Sequence, residues 1–154
     1  MTWLMEAVNE RVDPKNVTIV TGAGSHKQDT PADVARMFGE NIATKYAVVS
    51  HDSKNPATMR EVGKRPNSGK PVYMNEEYAD ADVKIAVGYV EPHFMAGFSG
   101  GYKAIVPGIA DIGTIIEYHS VLQILQKPDV AAEFLASLNA ASDEDVTAFW
   151  LGLR

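Results

Sequence analysis

The order of apolar and polar residues in the first third of the chain predicts a helix and two strands. Residues 1–12 place apolar side chains at helical spacing, and Asp13-Pro14 ends this pattern because a residue before proline avoids the helical conformation. Residues 16–21 (NVTIVT) are rich in β-branched side chains and predict a buried strand. Residues 46–50 (YAVVS) predict a second strand of the same kind.

A helix is predicted between these two strands. Thr30 occupies the capping position, Pro31 the first helical position and Asp33 the third, and Gly39 is the expected stop. The order strand, helix, strand favours parallel pairing. The expected fold class is therefore α/β, with a Rossmann-like, open, mainly parallel sheet flanked by helices, formed by residues 1–154 as a single domain.

The rest of the chain predicts two more strands and three more helices. The strands are residues 71–74 and 83–90, and the helices are residues 111–126, a segment around 130–138 and a last one after Ser142. The helix at 111–126 places five residues on one apolar face, so His119 is expected to point inward. They are Ile112, Ile115, Ile116, His119 and Leu122.

Residues 53–70 form the basic segment of an otherwise acidic chain. The segment carries five cations, which are Lys54, Arg60, Lys64, Arg65 and Lys70. Two interpretations remain open, a solvated loop or a flap that contacts an anion.

Composition restricts the classes of function. Apolar residues make up 45% of the 154 positions, which is typical of a globular domain. The net charge of -6 argues against general binding to nucleic acid or to anionic membranes. The absence of cysteine excludes disulfides and thiolate metal sites, and no apolar run reaches the length of a membrane span. We expect a cytoplasmic protein.

Candidate chemistry is concentrated in residues 91–108 (EPHFMAGFSGGYKAIVPG). Glycines here permit close backbone approach to a ligand, and Lys103 can serve as a cation or as a nucleophile. An ordinary turn is the simpler interpretation. His26, His51 and His93 each follow a predicted strand, where parallel sheets bind their ligands. Histidine suits acid/base catalysis and metal binding.

Several common site motifs are absent or incomplete. The glycines before Lys103 are not followed by the Gly-Lys-Ser/Thr of a phosphate loop, and Gly22-Ala23-Gly24 lacks the third small residue of the dinucleotide fingerprint. Ser99 fits the glycine pattern of serine hydrolases only within a glycine-rich run. No zinc-type spacing of histidines is present.

The motifs as a set resemble the nickel-pincer-nucleotide-dependent lactate racemase family. They are Gly24-Ser25-His26-Lys27, His51-Asp52, Pro92-His93, Ala96-Gly97-Phe98-Ser99-Gly100-Gly101-Tyr102-Lys103, Pro107-Gly108 and His119. The resemblance runs from about Leu4 to Ser120, and it implies that residues 1–154 are part of the N-terminal domain of a longer racemase.

The resemblance implies a role for seven residues. Lys103 would hold the nickel pincer nucleotide covalently through a thioamide, and Ser99, Gly100 and Gly101 would contact this cofactor. His119 would bind nickel, and His26 and His93 would be the catalytic acid/base pair. The implied reaction is racemisation or epimerisation of a lactate-like 2-hydroxy acid, by hydride transfer to the cofactor and back to either face. The implied partners are this small substrate and a C-terminal domain or second subunit, and the chain alone is expected to be inactive. A binding or regulatory module and an inactive fragment that retains the pocket are the alternatives.

Overall fold

The computed structural model describes residues 2–66, 68–93 and 97–119. The chain divides into two compact units, Met1–Ile116 and Glu117–Arg154, and residues 117–119 are the described part of the second unit. Within the described ranges, no helix combines the length and the apolar composition that crossing a membrane requires. The predicted helices around 130–138 and after Ser142 lie outside the described residues.

Five α-helices and six strands are described. The helices are α1 (Thr2–Asn9), α2 (Pro31–Phe38), α3 (Glu40–Lys45), α4 (Glu76–Asp80) and α5 (Ile112–Tyr118), and the strands are β1 (Thr18–Thr21), β2 (Ala47–Ser50), β3 (Met59–Lys64), β4 (Pro71–Asn75), β5 (Pro92–His93) and β6 (Gly97–Phe98). Short 3-10 helices lie at Pro14–Asn16, Pro56–Thr58 and Gly101–Ala104.

The first two strands form the parallel pair that the sequence predicts. Thr18 of β1 lies opposite Ala47 of β2, and the register continues to the strand ends. The α/β class is confirmed, and the parallel pairing among the described residues is confined to β1 and β2. The core beside this pair comes from α1, β1, α3 and the residue that follows α3, with Met5, Ile19, Ile42 and Tyr46 as its buried members.

The start of α2 confirms the predicted cap. The Thr30 hydroxyl accepts a hydrogen bond from the Asp33 amide at 3.2 Å, and the Thr30 amide donates to the Asp33 carboxylate at 3.0 Å. Gly39 ends the helix as expected, with a φ of 83° that favours glycine. The chain continues directly into α3, which the sequence did not predict.

The predicted strand at residues 83–90 is wrong. These residues have no regular secondary structure, and Val83, Ile85 and Val87 are more than half exposed. Alternating apolar residues suit a strand only where a neighbouring strand accepts their backbone hydrogen bonds. Here the end of the segment bonds to Ser99 instead, through the carbonyl of Tyr89 and the amide of Glu91.

The basic segment at 53–70 is more ordered than either interpretation expected. β3 and β4 form an antiparallel hairpin that includes much of it. Arg60 forms exposed ion pairs with Glu76 and Asp80. Arg65 is nearly buried and pairs with Asp111 at 3.6 Å. Two of the five cations therefore hold the protein's own elements together.

Asp111 joins the hairpin to the start of α5. Its carboxylate accepts hydrogen bonds from the Tyr73 amide at 3.1 Å and the Thr114 amide at 3.0 Å, and also from the Thr114 hydroxyl. Burial by itself would raise the pKa of Asp111, but these hydrogen bonds and the Arg65 guanidinium together hold the pKa below its usual value. The ionised carboxylate is thus the stable form.

The predicted apolar face of the helix at 111–126 is correct at Ile115, which is buried, and wrong at Ile116, which is 63% exposed. The described helix ends at Tyr118, so the predicted continuation to residue 126 lies outside the described residues.

A buried segment, Gly108 to Ala110, connects the ends of three strands. Its successive carbonyls accept hydrogen bonds from the Gly24 amide at 2.8 Å, the Asn75 amide at 3.0 Å and, at Ala110, the side chain of His51 at 2.9 Å. Gly24 follows β1, His51 follows β2 and Asn75 ends β4. We call these residues the 108–110 segment.

We predict that replacing Asp111 by alanine lowers the free energy of unfolding by about 2 to 3 kcal/mol, because Arg65 and two backbone amides lose a buried partner. Arg60→Ala is the control and should cost less than about 1 kcal/mol, since its ion pairs are exposed. Urea unfolding of both variants measures the difference. Equal losses would show that the Asp111 cluster adds nothing beyond a surface ion pair.

We predict that Gly108→Ala destabilises the chain by about 3 kcal/mol or more, because a Cβ at this position would lie 2.1 Å from the Ala104 carbonyl oxygen. Gly63→Ala is the matched control: a Cβ there would meet nothing within 4 Å, so the change should stay within about 0.5 kcal/mol. Thermal unfolding of the two variants tests this, and a tolerated Gly108→Ala would mean that the turn packs less tightly than described.

Candidate functional site

Lys103 lines a cavity of about 390 Å³. Its described walls are Thr18, Val20, Gly22, Glu77, Tyr78, Ala81, residues 83–89, Glu91, Ser99, Gly100, Lys103–Ile105, Gly108 and Ile109. Lys103 is half-buried, and its ammonium has no ion pair or hydrogen bond with any described residue. An amine in this position is accessible from the cavity, and none of the described carboxylates forms an ion pair with it, although Glu77 and Glu91 line the same cavity.

The backbone around Lys103 is a series of tight turns. Lys103 lies in the 3-10 helix Gly101–Ala104, and its amide donates to the Gly100 carbonyl at 3.0 Å. Gly100 has a φ of 79°, and a Cβ there would lie 2.8 Å from the Tyr89 carbonyl oxygen. Gly101 also has a positive φ, of 51°, but a Cβ there would meet open space. Both positions favour glycine, and at Gly100 the neighbouring chain also excludes a side chain.

Ser99 holds the end of residues 83–90. Its hydroxyl donates to the Tyr89 carbonyl at 2.8 Å and accepts from the Glu91 amide at 3.0 Å, while its own amide donates to the Glu91 carbonyl at 2.8 Å. The hydroxyl is therefore already engaged within the protein. Ser99 and Gly100 line the Lys103 cavity and Gly101 is not among the lining residues, so contact of all three with a cofactor stays a prediction.

The structure does not place the two predicted acid/base histidines in this cavity. His26 is exposed in the loop after β1, where its amide donates to the Ala23 carbonyl at 3.0 Å. His93 is half-buried in β5, opposite Gly97 of β6. Neither is among the described residues that line the cavity. Their catalytic roles stay predictions.

His119 lies in the turn that follows α5, within the second unit. It is half-buried and makes an edge-on contact with Tyr118, with 5.1 Å between the ring centroids. In the described part of the chain, no group of three or more histidine, aspartate or glutamate side chains could hold a metal ion. The assignment of His119 as a nickel ligand stays a prediction. In that prediction, the imidazole of His119 is the single ligand that the protein supplies.

The loop that carries His26 packs against the turn that follows Lys103. The Gly24 amide donates to the Gly108 carbonyl, and Gly22 approaches the carbonyl of Ala104. Two motifs far apart in the sequence are thus adjacent in the fold.

His51 is a site residue to which the sequence analysis assigned no role. His51 is 0% exposed, and its Nε2 lies 2.9 Å from the Ala110 carbonyl oxygen. Its Nδ1 is buried and has no hydrogen-bond partner among the described residues. Burial lowers the pKa of His51, against the opposing influence of the Ala110 carbonyl, Asp52 and Asp111. The sequence did offer one indication that His51 belongs to the site, which is its position directly after a strand of the parallel pair.

Comparison with known proteins identifies the family of this chain. The family model described as the lactate racemase N-terminal domain matches residues 1–132. Lactate racemase from Thermoanaerobacterium thermosaccharolyticum is 37% identical over 116 residues, which cover 75% of this chain and 27% of that protein. Lactate racemase from Lactiplantibacillus plantarum is 36% identical over 104 residues, which cover 68% of this chain and 24% of that protein. The chain spans about a quarter of the length of these relatives.

Two solved structures resemble the fold. The lactate racemase apoprotein from Thermoanaerobacterium thermosaccharolyticum superposes with a TM-score of 0.69 at 36% identity, over 75% of this chain and 27% of that one. A Thermotoga maritima protein superposes with a TM-score of 0.62 at 23% identity, over 75% of this chain and 31% of that one, and supports the fold alone. Because the family model covers most of the sequence, the chain belongs to the lactate racemase N-terminal domain family.

Proposed function

We propose that this chain is part of an enzyme that racemises lactate or a closely related 2-hydroxy acid, with Lys103 as the attachment point of a nickel pincer nucleotide. Membership of the family supports the reaction. The observation that carries the assignment of Lys103 is its position in the cavity wall, half-buried and without a described ion pair or hydrogen bond to its ammonium.

The surroundings of Lys103 fit covalent attachment. An amine converted to a neutral thioamide has no charge to solvate, so the half-buried position of Lys103 does not oppose the attached form. Gly22, Gly88 and Gly100 line the same cavity and contribute no side chain to it. These features support Lys103 as the residue that holds the cofactor.

When bound, the cofactor would supply a hydride acceptor for the α-carbon of the substrate. The protein's own contribution would be acid/base catalysis at the substrate hydroxyl. In the proposal, His26 and His93 take and return this proton on opposite faces, which suits an imidazole because its pKa lies near neutrality. His119 would offer an imidazole nitrogen to the nickel ion.

The second candidate is a module that binds the cofactor without turnover. It is favoured by the positions of His26 and His93 outside the Lys103 cavity. The two candidates predict the same occupancy of Lys103 and differ in catalysis, so binding and turnover are measured separately.

We predict that intact mass spectrometry of the protein, co-produced with enzymes that make the pincer nucleotide, shows an adduct that Lys103→Arg abolishes. Arginine keeps a positive charge but cannot form the thioamide. Lys54→Arg is the matched control, because Lys54 is exposed and outside the cavity, and it should retain the adduct in full. An adduct that persists in Lys103→Arg would place the attachment elsewhere.

We predict that His26→Asn and His93→Asn each slow racemisation by about 100-fold or more while the adduct remains, because each change removes a proton carrier but leaves Lys103 intact. Interconversion of lactate enantiomers, followed by chiral chromatography on protein that contains its remaining domains, measures this. Turnover at the normal rate in both variants would refute the acid/base roles. An adduct without turnover in the unmodified sequence would favour the binding module.

A further inference from the structure

We propose that His51 is a positioning residue for Lys103, acting through the hydrogen bond that its Nε2 donates to the Ala110 carbonyl. The inference rests on the proposed function for the importance of Lys103, but not for the bond itself. His51 is fully buried and is not among the described residues that line the cavity, so its ring does not contact Lys103 through the cavity. Its influence must therefore pass through the backbone.

A continuous set of backbone hydrogen bonds connects Ala110 to Lys103. The Ala110 amide donates to the Pro107 carbonyl at 3.4 Å, the Ile109 amide to the Ile105 carbonyl at 3.0 Å, and the Gly108 amide to the Lys103 carbonyl at 3.3 Å. These hydrogen bonds overlap along the chain, so each turn between Lys103 and Ala110 is held by the next. Fixing the carbonyl of Ala110 restricts the whole series, including the backbone from which the Lys103 side chain projects.

The bond also defines the tautomer of His51. A carbonyl oxygen can only accept, so Nε2 carries the hydrogen and, in the neutral ring, Nδ1 carries none. Nδ1 is buried and has no hydrogen-bond partner in the described part of the chain. Protonation would place a second N–H there, with no acceptor, in a buried site.

The charged groups near His51 favour the protonated ring, but burial still lowers the pKa of His51. Asp52 on the same loop and Asp111 from the start of α5 both favour the protonated ring, and Asp111 is itself paired with Arg65. Burial outweighs them and lowers the pKa of His51 below its usual value of about 6.5. The stabilisation supplied by the neutral ring is therefore complete above about pH 6.5 and is lost as the pH falls below it toward the folded-state pKa.

Two substitutions separate the donor from the titration. In His51→Gln the side-chain amide nitrogen is the same number of bonds from Cβ as Nε2, so the donor to Ala110 is kept but cannot titrate near neutrality. In His51→Asn the amide is one carbon shorter, and the bond to Ala110 is lost. The two variants carry the same amide group and differ only in the length of the side chain.

The test is amide hydrogen exchange of the intact protein between about pH 5 and pH 8, corrected for the intrinsic exchange rate. The reporting amides are those of Gly24, Asn75 and Gly108, which donate to the carbonyls of the 108–110 segment and of Lys103. The Val34 amide in α2 is the internal control. No cofactor is needed for the measurement.

We expect the unmodified protein to lose protection at the reporting amides by about 10-fold at the acid end, with no comparable loss at Val34. His51→Gln should keep the neutral-pH protection across the range, and His51→Asn should show the loss at every pH. Equal behaviour of the Gln and Asn variants would overturn the proposal, as would protection in the unmodified protein that does not change with pH.

The yield of the Lys103 adduct in the same three proteins separates this inference from the proposed function. A yield that falls about 10-fold in His51→Asn and returns in His51→Gln supports positioning of Lys103. The predicted exchange pattern with an unchanged yield in His51→Asn would overturn it. The predicted exchange pattern with no adduct in any protein would refute the proposed function and, with it, positioning for cofactor attachment, while confirming the bond.

Discussion

Three successive backbone carbonyls, those of Gly108, Ile109 and Ala110, each need a hydrogen-bond donor from the protein, because all three residues are buried away from water. A buried carbonyl without a partner costs about 1 to 3 kcal/mol, so each one requires a donor. The donors come from the loop after β1, from the end of β4 and from His51 after β2. This requirement connects the β1–β2 pair to the end of the β3–β4 hairpin, and it fixes the exit of the turns that carry Lys103.

Much of the site follows from that constraint. Gly108 leaves no room for a Cβ because the turns from Lys103 onward fold back on themselves, and Gly24 donates a backbone amide from the loop that carries His26. The glycine-rich sequence is therefore explained partly by packing within the protein and partly by the space it leaves around Lys103. Asp111, next to the 108–110 segment, extends the same connection to the hairpin through Arg65.

Local signals in the sequence predicted the parts of the fold that depend on local chemistry. The cap at Thr30, the stop at Gly39 and the β-branched runs of β1 and β2 need only neighbouring residues, and all were predicted correctly. Residues 83–90 alternate apolar and polar side chains as a strand would. A strand also needs a neighbouring strand to pair with, and the sequence of residues 83–90 does not show whether one is present. The hydrogen bond of His51 to Ala110 and the ion pair of Arg65 with Asp111 join residues that are far apart in the sequence. The acceptor at Ala110 is a backbone carbonyl, which every residue has, so the sequence does not mark it as a partner. For this reason the sequence predicted which residues belong to the site but not how they are arranged.

The connection through the 108–110 segment is tested most directly by NMR detection of scalar couplings across hydrogen bonds in uniformly labelled protein. We predict couplings from the Gly24 amide to the Gly108 carbonyl and from the Asn75 amide to the Ile109 carbonyl, with a His51 ring that is neutral and protonated on Nε2 at pH 7. Couplings across the β3–β4 hairpin serve as the reference. Detection of the reference couplings without the other two, or a His51 ring protonated on Nδ1 alone, would contradict it.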